Sequence, residues 1–261
     1  MTPLFDNFFG PDRFQPDDKG ASARMDASQE TLANIVAVIA FGLPVVLAVG
    51  ALSPAVCFHD SISAFYYSRF FGGVFVGSVS IIAALLVAYG GQGKNEWRLA
   101  SVAAIPAILV AWMPTNGPKC QIDGLQLRAF VQEGAAETAE VTYSLSALAG
   151  ILHVGSAILF FVFLAYFSAY VFTREVKGFH RKDGELGSAK ENRNRIYLWC
   201  ARVIVGSVSA IGLYWTYIKL IGEFPLWDSL RLTFVFEAIA LWAFGLSWLV
   251  KGRVFGRALH D

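Results

Sequence analysis

Six apolar stretches, at 32–52, 70–91, 97–114, 143–172, 198–220 and 230–250, divide the chain, with polar segments between them. Each approaches the ~20 apolar residues that cross about 30 Å of hydrocarbon. In lipid every backbone polar group must be satisfied within the structure, which continuous apolar runs achieve as helices. The pattern therefore predicts an all-α bundle of six transmembrane helices. Hydrophobic residues make up 56% of the chain, above the ~45–50% usual for a soluble domain. The third and fifth stretches are the weakest, trimmed by Arg98 and bracketed by Arg202 and Lys219. Side chains of that length reach the interface from such positions.

Charge sets an expected orientation. Net charge is only +1, but of 21 Lys and Arg, 16 fall on the side of the N-terminus. The other five are Arg69, Lys119, Arg128, Lys219 and Arg231. Basic residues concentrate on the cytoplasmic face. Both termini are thus expected inside the cytoplasmic (inner) membrane, with 1–31 a cytoplasmic segment, 32–250 the membrane domain and 251–261 a cytoplasmic tail. The first 30 residues contain no apolar core of signal-peptide length, so the first span is expected to act as an uncleaved anchor. The basic run at 174–195 serves topology, with contact to anionic lipid or a cytoplasmic partner as the sharper alternative. It lacks a nucleic-acid-binding motif, and no nucleic-acid partner is expected.

Several residues mark boundaries and packing. Trp97, Trp199 and Trp248 fall near inner ends and Trp112, Trp215 and Trp227 near outer ends, as expected of indoles at the headgroup level. Pro44 and Pro106 lie inside spans. Gly73, Gly77, Ser80 and Ala84 form a small-residue face of the second span that permits close helix approach, within the chain or in a homo-oligomer. Leu125 to Thr142, in the second outer loop, is expected to hold a short surface helix. The echo of Val76-Gly77-Ser78-Val79-Ser80 in Val205-Gly206-Ser207-Val208-Ser209 is best read as chance.

Ionisable residues inside the membrane carry a cost and point to function. His153 and Glu237 stand out. Each lies about eight positions from the outer end of its span, roughly 12 Å deep at 1.5 Å per residue. Equal depth allows a direct or water-mediated contact. A second polar group, Asp60, Ser61, Ser63, Tyr66, Tyr67 and Arg69, lies where the chain enters the second span. Asp60, Ser61 or Ser63 in a helix-capping role is one reading. The other makes Asp60, Ser63, Tyr66, Tyr67 and Arg69 the mouth of an outward-facing pocket floored by His153 and Glu237. Lys219 and Arg231 are near the same face. No zinc-ligand spacing, nucleophile motif or cofactor fingerprint is present, so no metal, cofactor or catalytic residue is assigned. Cys57 and Cys120 fall in outer loops and are the expected disulfide pair; Cys200 lies near an inner end and should stay reduced.

The chain resembles a bacterial family of six-helix integral membrane proteins of unknown function. The resemblance rests on Ser61-Ile62-Ser63-Ala64-Phe65-Tyr66-Tyr67 with Arg69 and Phe75-Val76-Gly77, on Pro114-Thr115, on Leu152-His153, on Arg193-Asn194-Arg195-Ile196-Tyr197, and on Phe236 to Gly245. It implies a six-helix bundle and singles out Ser63, Tyr66, Tyr67, Arg69, His153 and Glu237, but brings no activity with it. The paired-His pattern of the ceramidase and adiponectin-receptor hydrolases is absent. The expected function is binding of a membrane lipid or other small amphiphile in the outer pocket, with or without a membrane-protein partner. A proton-coupled carrier using His153 and Glu237 and a lipid-modifying enzyme are the alternatives.

Overall fold

The computed structural model of the protein describes residues 19–90, 94–115, 131–133, 143–145, 147–174 and 188–253. Six long helices dominate them: α1 (Lys19–Gly50), α2 (Arg69–Ala88), α3 (Lys94–Trp112), α4 (Ala147–Tyr166), α5 (Ser188–Leu220) and, after the short α6 (Pro225–Ser229), α7 (Leu232–Lys251). A 3₁₀ turn, Ser63–Tyr67, precedes α2, and α4 runs into a π-helical turn, Phe167–Val171. Five helical segments are long and apolar enough to cross a membrane: Gln29–Gly50, Arg69–Ala88, Leu148–Val171, Lys190–Leu220 and Leu232–Lys251. The third apolar stretch also forms a helix, α3, with Glu96 and Arg98 near its start.

The six long helices close a ring in chain order. Each of α1 to α4 packs on its successor, and α7 packs on both α5 and α1. Glu30 near the start of α1 and Arg253 beyond α7 form an ion pair of 3.2 Å, so the chain enters and leaves the bundle at one end. This is the terminal end; the opposite one is the distal end. The core includes small and large side chains from both helices of one seam, Val36, Ala37, Ala40 and Leu47 of α1 and Ala240, Phe244 and Trp248 of α7. Gly245 is needed at that seam, because a Cβ there would lie 2.9 Å from the Phe41 ring. Trp242 reaches over the same seam and donates to the Phe41 carbonyl at 3.2 Å.

Five expectations are corrected. Tyr143–Leu145, expected to begin the fourth span, is a strand paired antiparallel with Val131–Glu133, Gln132 facing Ser144. Val131–Glu133 falls within the expected surface helix of 125–142. β-branched and aromatic residues favour such pairing. Helix α5 starts at Ser188, ten positions before the expected 198, because Lys, Glu and Arg propagate a helix well outside an apolar environment. Trp248 is fully buried rather than placed among headgroups. Finally, a Cβ on Gly73 or Gly77 would meet nothing within 4 Å, so that face of α2 mediates no close approach within the described residues.

Candidate functional site

The segment joining α1 to α2 turns back into the distal end of the ring. Cys57, His59, Ile62, Phe65, Tyr66, Tyr67 and Ser68 are all buried along it. Irregular backbone at this depth must find its hydrogen bonds inside the protein, and α7 supplies several of them. Glu237 Oε2 accepts the Ile62 N–H at 2.6 Å. Ile62 precedes the 3₁₀ turn, so its N–H is one of the donors that a helical turn leaves without an internal partner. The carboxylate thus caps a short helix in trans. Ser61 Oγ lies 2.9 and 3.0 Å from the two Glu237 oxygens and shares its hydrogen between them. The same Oγ is 2.9 Å from Ser63 Oγ and accepts the Ser63 N–H at 3.2 Å.

Asp60 extends this cluster to the start of α7. Its backbone carbonyl accepts the Phe234 N–H at 2.9 Å, and its carboxylate pairs with Arg231 at 2.8 Å. Arg231 adopts a left-handed conformation, φ 50°, which turns the chain from α6 into α7. Its guanidinium lies 4.8 Å from the Phe58 ring centroid, where a cation is attracted to the aromatic face. The side chains of Arg231 and Asp60 remain 35% and 32% exposed. Glu237 is partly buried.

The other expected site residues go elsewhere. Nδ1–H of His153, on α4, donates to the Met113 carbonyl at 2.8 Å, which fixes the tautomer. The Tyr66 hydroxyl donates to the Trp112 carbonyl at 3.2 Å and that of Tyr67 to the Thr115 carbonyl at 2.5 Å. These three side chains clasp the carbonyls of Trp112, Met113 and Thr115, at and just past the end of α3, where the chain has no helical partner for them. Burial raises the Tyr67 phenol pKa well above its ordinary value, so the hydroxyl stays a donor. Among the described residues no hydrogen bond joins His153 to Glu237, so the direct contact that equal depth allowed is not made. Tyr66 and Tyr67 are 2% and 1% exposed and do not line an open mouth. Arg69 is exposed at the start of α2.

Of the expected set, Asp60, Ser63 and Glu237 are brought together, joined by Ser61 and Arg231, which the sequence offered only as a cap and a nearby cation. A link between His59 and Ser68 was not anticipated. His59 Nε2 lies 3.1 Å from Ser68 Oγ. Both side chains are buried, and the imidazole packs edge-on to Phe65 with centroids 4.9 Å apart. Enclosure of this kind suits a fixed internal bond rather than attack on a substrate. Among the described residues no group of three His, Cys, Asp or Glu is placed to hold a metal. Cys57 is buried and Cys200 is a free thiol; Cys120, the expected partner of Cys57, lies outside the described residues.

The helical ring, with five apolar helices of spanning length, fits a membrane protein. The chain matches no protein-family model, no curated protein and no solved structure.

Proposed function

We propose that the chain is a six-span protein of the cytoplasmic membrane with both termini inside, and that its distal cluster binds the headgroup of a lipid or another small amphiphile at the outer face. The observation that carries the reading is the Glu237 carboxylate on a spanning helix, partly buried and within hydrogen-bond reach of Ser61. A carboxylate in a membrane helix is costly unless it has partners and a use. Arg231, Asp60, Ser61, Ser63 and Glu237 together offer one cation, two anions and two hydroxyls on a surface bordered by lipid. Such a set recognises a polar headgroup bearing both donors and an acceptor. It stands in place of the expected mouth of Tyr66, Tyr67 and Arg69. The same reading keeps Cys57 and Cys120 as a disulfide pair of the outer face.

A carrier is the second reading, and the buried side chains of α7 count against it. Between Glu237 and Ser247 this helix buries Ala238, Ala240, Leu241, Ala243 and Phe244, with no polar step for a proton or solute. The test is native mass spectrometry of the full chain released from mild detergent. The wild type should retain a defined amphiphile that Glu237→Gln and Arg231→Gln lose and Tyr66→Phe keeps. Equal retention by all four proteins, or none by the wild type, would overturn the proposal.

A further inference from the structure

Glu237 is a carboxylate on a spanning helix that has no counter-ion among the described residues. Its Oε2 accepts the Ile62 N–H at 2.6 Å and lies 3.0 Å from Ser61 Oγ, while Oε1 meets only that hydroxyl, at 2.9 Å. Ser61 has one hydrogen to give, and a carboxylate has about four acceptor positions. Two donors therefore leave positions open, chiefly on Oε1. The groups that act on this carboxylate are Ile62 and Ser61, and neither is charged. Arg231 stands six positions earlier, about 9 Å along a helix, and turns its Nη1 to Asp60 at 2.8 Å. Glu237 is partly exposed, so its open positions reach the surface of the bundle.

The order of the groups says where on a ligand the partner must lie. Residues 60–62 follow α7 inward: Asp60 meets Arg231 and the Phe234 N–H, then Ser61 and Ile62 meet Glu237. The guanidinium is the outer group and the carboxylate the deeper one. Deeper still, the outside of the α1–α7 seam is apolar, with Trp242 exposed and also Val45, one turn from Phe41. A group that meets Glu237 therefore sits where a polar head passes into a hydrocarbon chain. A lone charge away from water is costly, and a counter-ion removes that cost. The form of the cation follows from the neighbours. A quaternary ammonium has no N–H and is held on aromatic faces. Phe58 already carries Arg231, 4.8 Å from its centroid, and Phe236 is stacked on Trp227 at 5.5 Å. Open acceptor positions call instead for N–H donors.

We infer that Glu237 is the counter-ion of a primary ammonium at the junction of head and chain in an amphiphile. The ammonium donates to the open positions of the carboxylate, and the chain lies along the outside of the α1–α7 seam. This inference rests on the reading of the distal cluster as a headgroup site, and adds to it the chemical class of the ligand.

Native mass spectrometry of the full chain in mild detergent tests it with three probes of one chain length: dodecylamine, dodecyltrimethylammonium and dodecanol. The first brings N–H donors and charge, the second charge alone, the third a neutral donor. Dodecylamine should displace the retained amphiphile from the wild type at about tenfold lower concentration than either of the others, as a hydrogen bond between charged groups provides. Glu237→Gln keeps an acceptor without the charge, and should bind the amine and the alcohol alike; Tyr66→Phe should keep the preference. Equal displacement by amine and alcohol, or by the two cations, overturns the inference. So does displacement by none of the three, or a preference that survives in Glu237→Gln. In each of these cases the wild type still holds an amphiphile, so the headgroup reading stands. A wild type that retains no amphiphile overturns both. Should Glu237→Gln fail to fold, the ranking of the three probes on the wild type decides.

Discussion

Glu237 on α7 holds the Ile62 N–H at 2.6 Å across 175 positions of sequence, which ties the last helix to the segment between the first two. Hydrogen bonds between membrane helices average ~0.6 kcal/mol and reach ~1.7; those to charged groups lie at ~1.5–3. Glu237→Gln retains an acceptor and should cost about 1 kcal/mol. Glu237→Ala leaves Ile62 and Ser61 without it and should cost about 2–3. Unfolding midpoints in detergent measure both, and a neutral Glu237→Ala would show that Glu237 does not anchor the segment.

The Asp60–Arg231 pair is one-third exposed on each side, so solvent screens it. A double-mutant cycle with Asp60→Asn and Arg231→Gln should give a coupling of ~0.5–1 kcal/mol that shrinks with salt. Arg231→Gln alone should cost more than Asp60→Asn alone, because it also removes the contact with Phe58. A coupling above about 2 kcal/mol would instead mean that the pair is effectively desolvated.

Tyr67 and His153 act on the end of α3, so their loss should appear in stability and not in amphiphile retention. Tyr67→Phe should cost about 1 kcal/mol and His153→Ala about 2, since the latter leaves the Met113 carbonyl unpaired and removes packing. Tyr66→Phe, whose bond is longer at 3.2 Å, should cost less than Tyr67→Phe. Loss of the bound amphiphile in a folded His153→Ala protein would return the imidazole to the binding site.

Glycine substitutions should separate a used from an unused small-residue face. Gly245→Leu drives a side chain into Phe41 and should cost ~1–3 kcal/mol or more. Gly77→Leu meets open space and should leave the monomer's stability within about 0.5 kcal/mol of wild type. If Gly77→Leu changes only the oligomeric state by light scattering, the face belongs to a contact between copies.

Alkylation of the denatured chain tests the cysteine pairing. Without reductant, Cys200 alone should be modified; with reductant, Cys57 and Cys120 should be modified too. Cys57→Ser should lower stability by about 2–4 kcal/mol if the bridge forms. Three reactive thiols in the unreduced protein would remove it.

Hydropathy located all six long helices, because each is a continuous apolar run. The ends of α4 and α5 were misplaced because polarity marks where lipid stops and not where a helix stops. Asp60, Ser61 and Glu237 were each legible as polar residues out of place in an apolar chain. In sequence Asp60 and Glu237 already stand as mouth and floor of one pocket; the direct bonds from Ser61 and the Ile62 N–H to Glu237 were not legible, since they depend on α7 closing against the segment after α1. Tyr66, Tyr67 and His153 were misread for a physical reason: a helix end inside a bundle needs donors, and a donor spent there looks the same in sequence as one awaiting a ligand. Pro114, two residues past the end of α3, was the available signal that unpaired carbonyls would need partners.

Because the ring follows chain order, every interface between the long helices around it but one can form as soon as its second helix is synthesised. The exception is the seam between α1 and α7, which must wait for the final span to emerge. Trp242, Gly245 and Glu237 all act at or beside that seam, so the residues made last are the ones that lock the first. A ribosome that stalls before α7 leaves an open crescent with Ile62 unanchored, and quality-control proteases should find that crescent where they cannot find the finished ring.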